Sequence, residues 1–135
     1  MPEDSAYLHE AASSLTEETL DNHRAYRSLM EEIEAVDWYA QRVDATNDPE
    51  LKAVLAHNRD EEKEHAAMVL EWLRRRDPVL DRHLRTYLFT TDPIVEIEAK
   101  LEAAGEAPEH AAVPRPGGRA ASGGLAIGSL KQPRP

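Results

Sequence analysis

The first 104 residues contain no glycine. All six glycines (Gly105, Gly117, Gly118, Gly123, Gly124 and Gly128) come after them, together with five of the nine prolines. Glycine weakens helix interiors more than any residue except proline, so a long stretch without it is free to be helical. The partition predicts an all-α body over residues 14–104, preceded by a flexible N-terminus of 1–13. Residues 105–124 are small, rich in proline and glycine and without hydrophobic period, the composition of a disordered linker. Residues 125–135 form a separate terminal peptide.

Local signals divide the body into helices. Ser14-Leu15-Thr16-Glu17 has capping-box spacing and starts a long helix near Ser14, which Asn47-Asp48-Pro49 ends. Asp48 caps a second helix with Pro49 in its first turn, where the missing amide hydrogen costs nothing. That helix runs to Arg74, Arg75 and Arg76, cations suited to a helix C-terminus, before Asp77-Pro78. The result is an antiparallel two-helix hairpin. Two short helices follow, Pro78 to about Thr90, and one opened by Asp92-Pro93 that ends before Gly105.

The absence of cysteine excludes disulfides, thiolate metal sites, iron–sulfur clusters and cysteine nucleophiles. No apolar run approaches the roughly 20 residues that span a bilayer, and MPEDSAYLHE is too acidic for a signal peptide, so the chain reads as a cytoplasmic protein without a membrane partner. The net charge is −10, with the residues after 104 carrying +2 and the helical body −12. Such a field disfavours nucleic acid and attracts cations.

Steps of four and three along the first helix give one face: Ala25, Leu29, Glu32, Val36, Tyr39 and Val43. The second helix gives Leu51, Leu55, Asn58, Glu62, His65, Val69 and Trp72. Both stripes are apolar at their ends and polar in the middle. A carboxylate held in a packed seam costs several kcal/mol of desolvation unless it is paired or bound to a cation. Glu62-Lys63-Glu64-His65 is a Glu-x-x-His motif whose i and i+3 side chains share a face. Carboxylate oxygen and imidazole nitrogen without sulfur suit iron or manganese in an open site better than structural zinc.

The ligand count then points to oligomerisation. A di-iron site in a four-helix bundle takes one Glu from each of two helices and a Glu-x-x-His from each of two others. Glu32 with Glu62 and His65 is half of that set, and a two-helix hairpin with one apolar stripe cannot close a core alone. A symmetric pair of hairpins completes both the ligand set and the four-helix bundle. Glu31 and Glu34 (i, i+3), and His57, Glu61 and Glu64 (i, i+4, i+7), recur on neighbouring faces, either as solvated acidic surface or as weak sites that gather cations. Tyr39, seven residues beyond Glu32, is core or a hydroxyl donor to a ligand. Trp38 and Trp72 read as packing.

These residues, within MEEIEAVDWYAQRVDATNDPEL, LAHNRDEEKEHAAMVLEWLRRR and HLRTYLFT, resemble the encapsulated ferritin family over about residues 17 to 97. The resemblance implies a ferroxidase with two iron ions per subunit pair, cycling between Fe(II) and Fe(III). Glu32, Glu62 and His65 of each subunit then fall on the ligand positions, and Tyr39 on the family tyrosine beside them. It further implies a metal-entry site at Glu31 and Glu34 with Trp38 alongside, and an outer site at His57, Glu61 and Glu64, with calcium or other divalent cations as further occupants. Annular decamers of five dimers are implied as well. After the linker, Leu125, Ile127, Gly128 and Leu130 lie in an apolar island resembling the peptide by which cargo docks in an encapsulin shell. The expected function is therefore iron oxidation for mineralisation inside an encapsulin nanocompartment. A non-catalytic metal-binding adaptor of the shell and a di-metal peroxidase are the competing readings.

Overall fold

The hydroxyl of Thr16 accepts a hydrogen bond from the Thr19 amide at 3.1 Å and starts the longest helix, α1 (Glu17–Ala45). This is later than the capping-box spacing predicts. Ala12–Ser14 form a 3-10 turn and Leu15 is extended, so the chain becomes α-helical only after Thr16. The structure is a computed structural model that describes residues 7–105.

Thr46, Asn47 and Asp48 reverse the chain. The Asp48 amide donates to the Thr46 hydroxyl at 3.2 Å, and the Asp48 carboxylate accepts from the Leu51 amide at 2.8 Å, which starts α2 (Pro49–Arg74). Both groups satisfy backbone donors that a helix end leaves open. Asp77 repeats the device, accepting from Val79 and Leu80 at 3.0 Å each to begin α3 (Pro78–Tyr87). The fourth helix, α4 (Ile94–Ala103), has no side-chain cap; Asp92 instead holds the Lys100 ammonium at 3.2 Å. Between α3 and α4 the chain turns through Phe89, whose φ of 59° is unusual for a bulky side chain, and Gly105 at φ 75° ends α4.

The described residues thus form an all-helical fold, a long antiparallel hairpin with two short appended helices. No helix among them is long and apolar enough to cross a membrane. The linker of residues 105–124, apart from Gly105, and the terminal peptide lie outside the described residues.

Burial follows the two stripes but stays shallow. Ala25, Leu29, Glu32, Val36, Tyr39 and Val43 are all half-buried, as are Leu55, Asn58, Glu62, Val69 and Trp72, whereas Leu51 and His65 are exposed. Among the described residues only Leu73, at the open end of the hairpin where α2 meets α3, is fully buried, at 2% exposure. Beside the seam, Tyr26, Met30 and Ile33 on α1 and Val54 and Met68 on α2 remain exposed. Apolar side chains left open in such number leave most of the available hydrophobic stabilisation unrealised in a single hairpin.

Candidate metal centre

α1 and α2 run antiparallel, so the middle of one meets the middle of the other, and the polar members of both stripes converge there. One ligand atom from each of Glu32, Glu62 and His65 lies within 4.8 Å of the others, the only such group of three or more found among the described residues. His65 Nδ1 stands 3.1 Å from a Glu62 oxygen and 3.7 Å from a Glu32 oxygen. The Glu62 and His65 side chains are one helical turn apart, which lets a single helix offer both to one point.

The electrostatics of the trio are those of a site short of positive charge. Hydrogen bonding to Glu62, with burial and the neighbouring negative charge, pushes the Glu32 carboxyl above its usual range. Glu62 is held below its own by the hydrogen bonds from Glu32 and His65. His65 is raised, chiefly by its hydrogen bond to Glu62. Two carboxyl groups facing each other beside an imidazole drawn toward its charged form offer three ligand atoms, and a divalent cation bound there competes with protons. The donor set, two carboxylates and one imidazole, fits iron or manganese by its chemistry and leaves coordination positions open.

The other candidate residues are more dispersed. Tyr39 lies two turns beyond Glu32 on α1, with the Arg42 guanidinium 5.3 Å from its ring centre. Glu31 and Glu34 are exposed, as is Trp38 one turn further on. Glu31 is paired with Arg27 at 3.7 Å. His57 Nε2 meets Glu61 at 2.9 Å, but Glu64 does not join them in a three-ligand group. Leu125, Ile127, Gly128 and Leu130 fall outside the described residues.

Two contacts escape a reading of the sequence. Arg74 bridges Glu71, at 2.6 and 2.7 Å, and Asp81, locking α2 to α3. The Tyr7 ring packs over the Arg27 guanidinium at 3.7 Å, bringing the N-terminal segment back along α1. The i, i+4 spacing of Arg27 and Glu31 signals their own pairing, and nothing in the spacing identifies Tyr7 as a neighbour of Arg27.

The EncFtn-like family model matches residues 7–91, a span that takes in both long helices and all three converging ligands. The chain belongs to the EncFtn-like family. The chain is similar to the encapsulated ferritin-like protein of Rhodospirillum rubrum, 58% identical over 97% of this chain and 92% of the relative. The encapsulin nanocompartment cargo protein EncC of Myxococcus xanthus is 33% identical over 75% of this chain and 77% of its own length. Among solved structures, a crystal structure of a Nitrosomonas europaea protein matches with a TM-score of 0.64 and 62% identity, covering 65% of this EncFtn-like chain and 97% of the other.

Proposed function

We propose that the protein is a ferroxidase whose active site forms when two hairpins pair antiparallel about a two-fold axis and bring two Glu32–Glu62–His65 half-sites face to face. The observation that carries this reading is the half-site itself: three converging ligands, drawn from two helices, in the polar middle of a seam that is apolar at both ends. The exposed Tyr26, Met30, Ile33 and Met68 supply apolar surface for the pairing. Membership of the EncFtn-like family supports the same chemistry.

Two Fe(II) ions enter as substrate. Each loses one electron, dioxygen takes up the two electrons with two protons, and hydrogen peroxide and two Fe(III) ions are the products. The residues contribute charge and geometry, and cation binding competes with protonation of Glu32 and His65, both of which hold protons more tightly than usual. Tyr39 supplies a hydroxyl on the same face of α1. Glu31 and Glu34, with Trp38, collect incoming cations, and His57, Glu61 and Glu64 form an outer site, both open to calcium or other divalent ions. Five dimers close into an annular decamer.

The terminal peptide, through Leu125, Ile127, Gly128 and Leu130, docks the assembly in an encapsulin shell, and residues 105–124 serve as its tether. The names of the Rhodospirillum and Myxococcus relatives, one encapsulated and one an encapsulin cargo, support this placement inside a nanocompartment. Iron oxidised there is delivered for mineralisation.

Anaerobic loading with Fe(II) followed by oxygen tests the site, with Fe(III) formation read by absorbance in the wild type and in Glu32→Ala, Glu62→Ala and His65→Ala. Oxidation at the wild-type rate in all three variants would overturn the reading. Deletion of residues 125–135 separates location from chemistry, because shell loading is lost while oxidation persists.

A further inference from the structure

Between Arg27 and Arg42, α1 carries Glu31, Glu32, Glu34 and Asp37 and no lysine or arginine. Arg27 is therefore the last cation on the helix before its acidic stretch. Its guanidinium sits one turn from Glu31, with 3.7 Å between Nη2 and the carboxylate. An exposed arginine would sample many rotamers and pair only transiently. This one is covered: the Tyr7 ring lies 3.7 Å from the guanidinium carbon, and the Arg27 side chain is only 25% exposed against 65% for Glu31. Tyr7 reaches it because residues 8–16, with the 3-10 turn at Ala12–Ser14, double back along the first turns of α1.

We propose that Tyr7 and Arg27 form a built-in counter-cation for Glu31, which keeps cation binding at the Glu31–Glu34 entry site weak so that incoming Fe(II) passes on to Glu32, Glu62 and His65. Tyr7 is a positioning residue: the π face of its ring holds the guanidinium beside the carboxylate. Arg27 competes with the arriving ion for Glu31. An entry site without such a competitor would retain its ion and become a sink. The inference rests on the entry-site role given to Glu31 and Glu34 above, and its test separates the two.

The probe is terbium(III), titrated into the full-length chain in a Glu32→Ala background that removes a ligand of the central site, with Trp38 as the luminescence sensitiser. Arg27→Gln is expected to tighten terbium binding about fivefold, the order of one exposed ion pair. Tyr7→Ala is expected to shift binding in the same direction by less, Tyr7→Phe, which keeps the ring face, to match the parent, and Tyr7→Ala to add nothing once Arg27→Gln is present. In the protein with Glu32 intact, Arg27→Gln should lower the Fe(II) concentration giving half-maximal oxidation more than it changes the maximal rate. If Arg27→Gln leaves terbium affinity unchanged while Glu31→Ala reduces it, the counter-cation inference is overturned and the entry site stands. If Arg27→Gln tightens binding but Tyr7→Ala does nothing, the role of Tyr7 is overturned. No change in Glu31→Ala overturns both the inference and the entry-site reading.

Discussion

At the open end of the hairpin, where α2 passes into α3, two carboxylates, Glu71 and Asp81, surround one arginine; in its middle two carboxylates, Glu32 and Glu62, face each other beside a histidine. Both clusters join separate helices, yet their electrostatics are opposite. At the open end, Arg74 binds Glu71 through two nitrogens and Asp81 through a third contact, while Arg75 adds a bond to Glu71 at 3.0 Å and Arg85 one to Asp81 at 2.9 Å. Glu71 is driven down to about 2, chiefly by its bonds from Arg74 and Arg75, and Asp81 is lowered by Arg85 and Arg74. In the middle, Glu32 moves up because its nearest partner is another carboxylate. The carboxylates at the open end are balanced by three arginines, whereas those in the middle have a single imidazole beside them and leave ligand atoms within reach of a cation.

The largest expected effect breaks the middle cluster alone. Glu62→Ala or His65→Ala should lower the rate of Fe(III) formation by at least about 100-fold, since even groups behind metal ligands cost 10–100-fold when removed. The equivalent change at the open end, Arg74→Met, should leave the maximal rate per folded chain near wild type and lower the thermal midpoint instead. Equal losses of activity from both would erase the functional distinction between the clusters.

Next in size is Leu73→Ala beside Arg74, expected to cost about 2–5 kcal/mol in chemical denaturation. A smaller response separates the clusters by ligand. Adding Mn(II), or Fe(II) without oxygen, should raise the thermal midpoint of the wild type by up to the equivalent of about 2.7 kcal/mol at a hundredfold excess over the dissociation constant. Sedimentation should show even-numbered oligomers favoured with it. Neither response should survive Glu62→Ala, and both should survive Glu71→Gln.

The smallest effect is the pH response of the open end. The folded pKa of Glu71, about 2, lies below its ordinary value of 4.5. Its contribution to stability is therefore complete above about 4.5 and is lost as pH falls toward 2. Glu71→Gln should flatten that part of an acid-unfolding profile followed by circular dichroism. An unchanged acid limb would mean that the arginine bracket contributes nothing to folding.

Most of the helical framework was legible because its signals are local. Asp48 and Asp77 cap the helices that Pro49 and Pro78 begin, each within four residues of its target. The start of α1 was misread by a few residues because Ser14 and Thr16 both offer a hydroxyl at useful spacing, and only the tight turn before Leu15 selects Thr16. The meeting of Glu32 with Glu62 and His65 was also legible, since the period of an antiparallel hairpin fixes which positions face across it.

By itself the sequence determined the helices, their breaks and the polar centre of the seam, all set by periodicity and by interactions spanning a few residues. Tertiary structure alone decided which distant groups meet: that Arg74 reaches across a helix junction to Asp81, and that Tyr7 folds back onto Arg27. Spacing along one helix counts only neighbours within that helix. Pairing between helices depends on how their axes and side chains come together, and that is settled only when the chain packs.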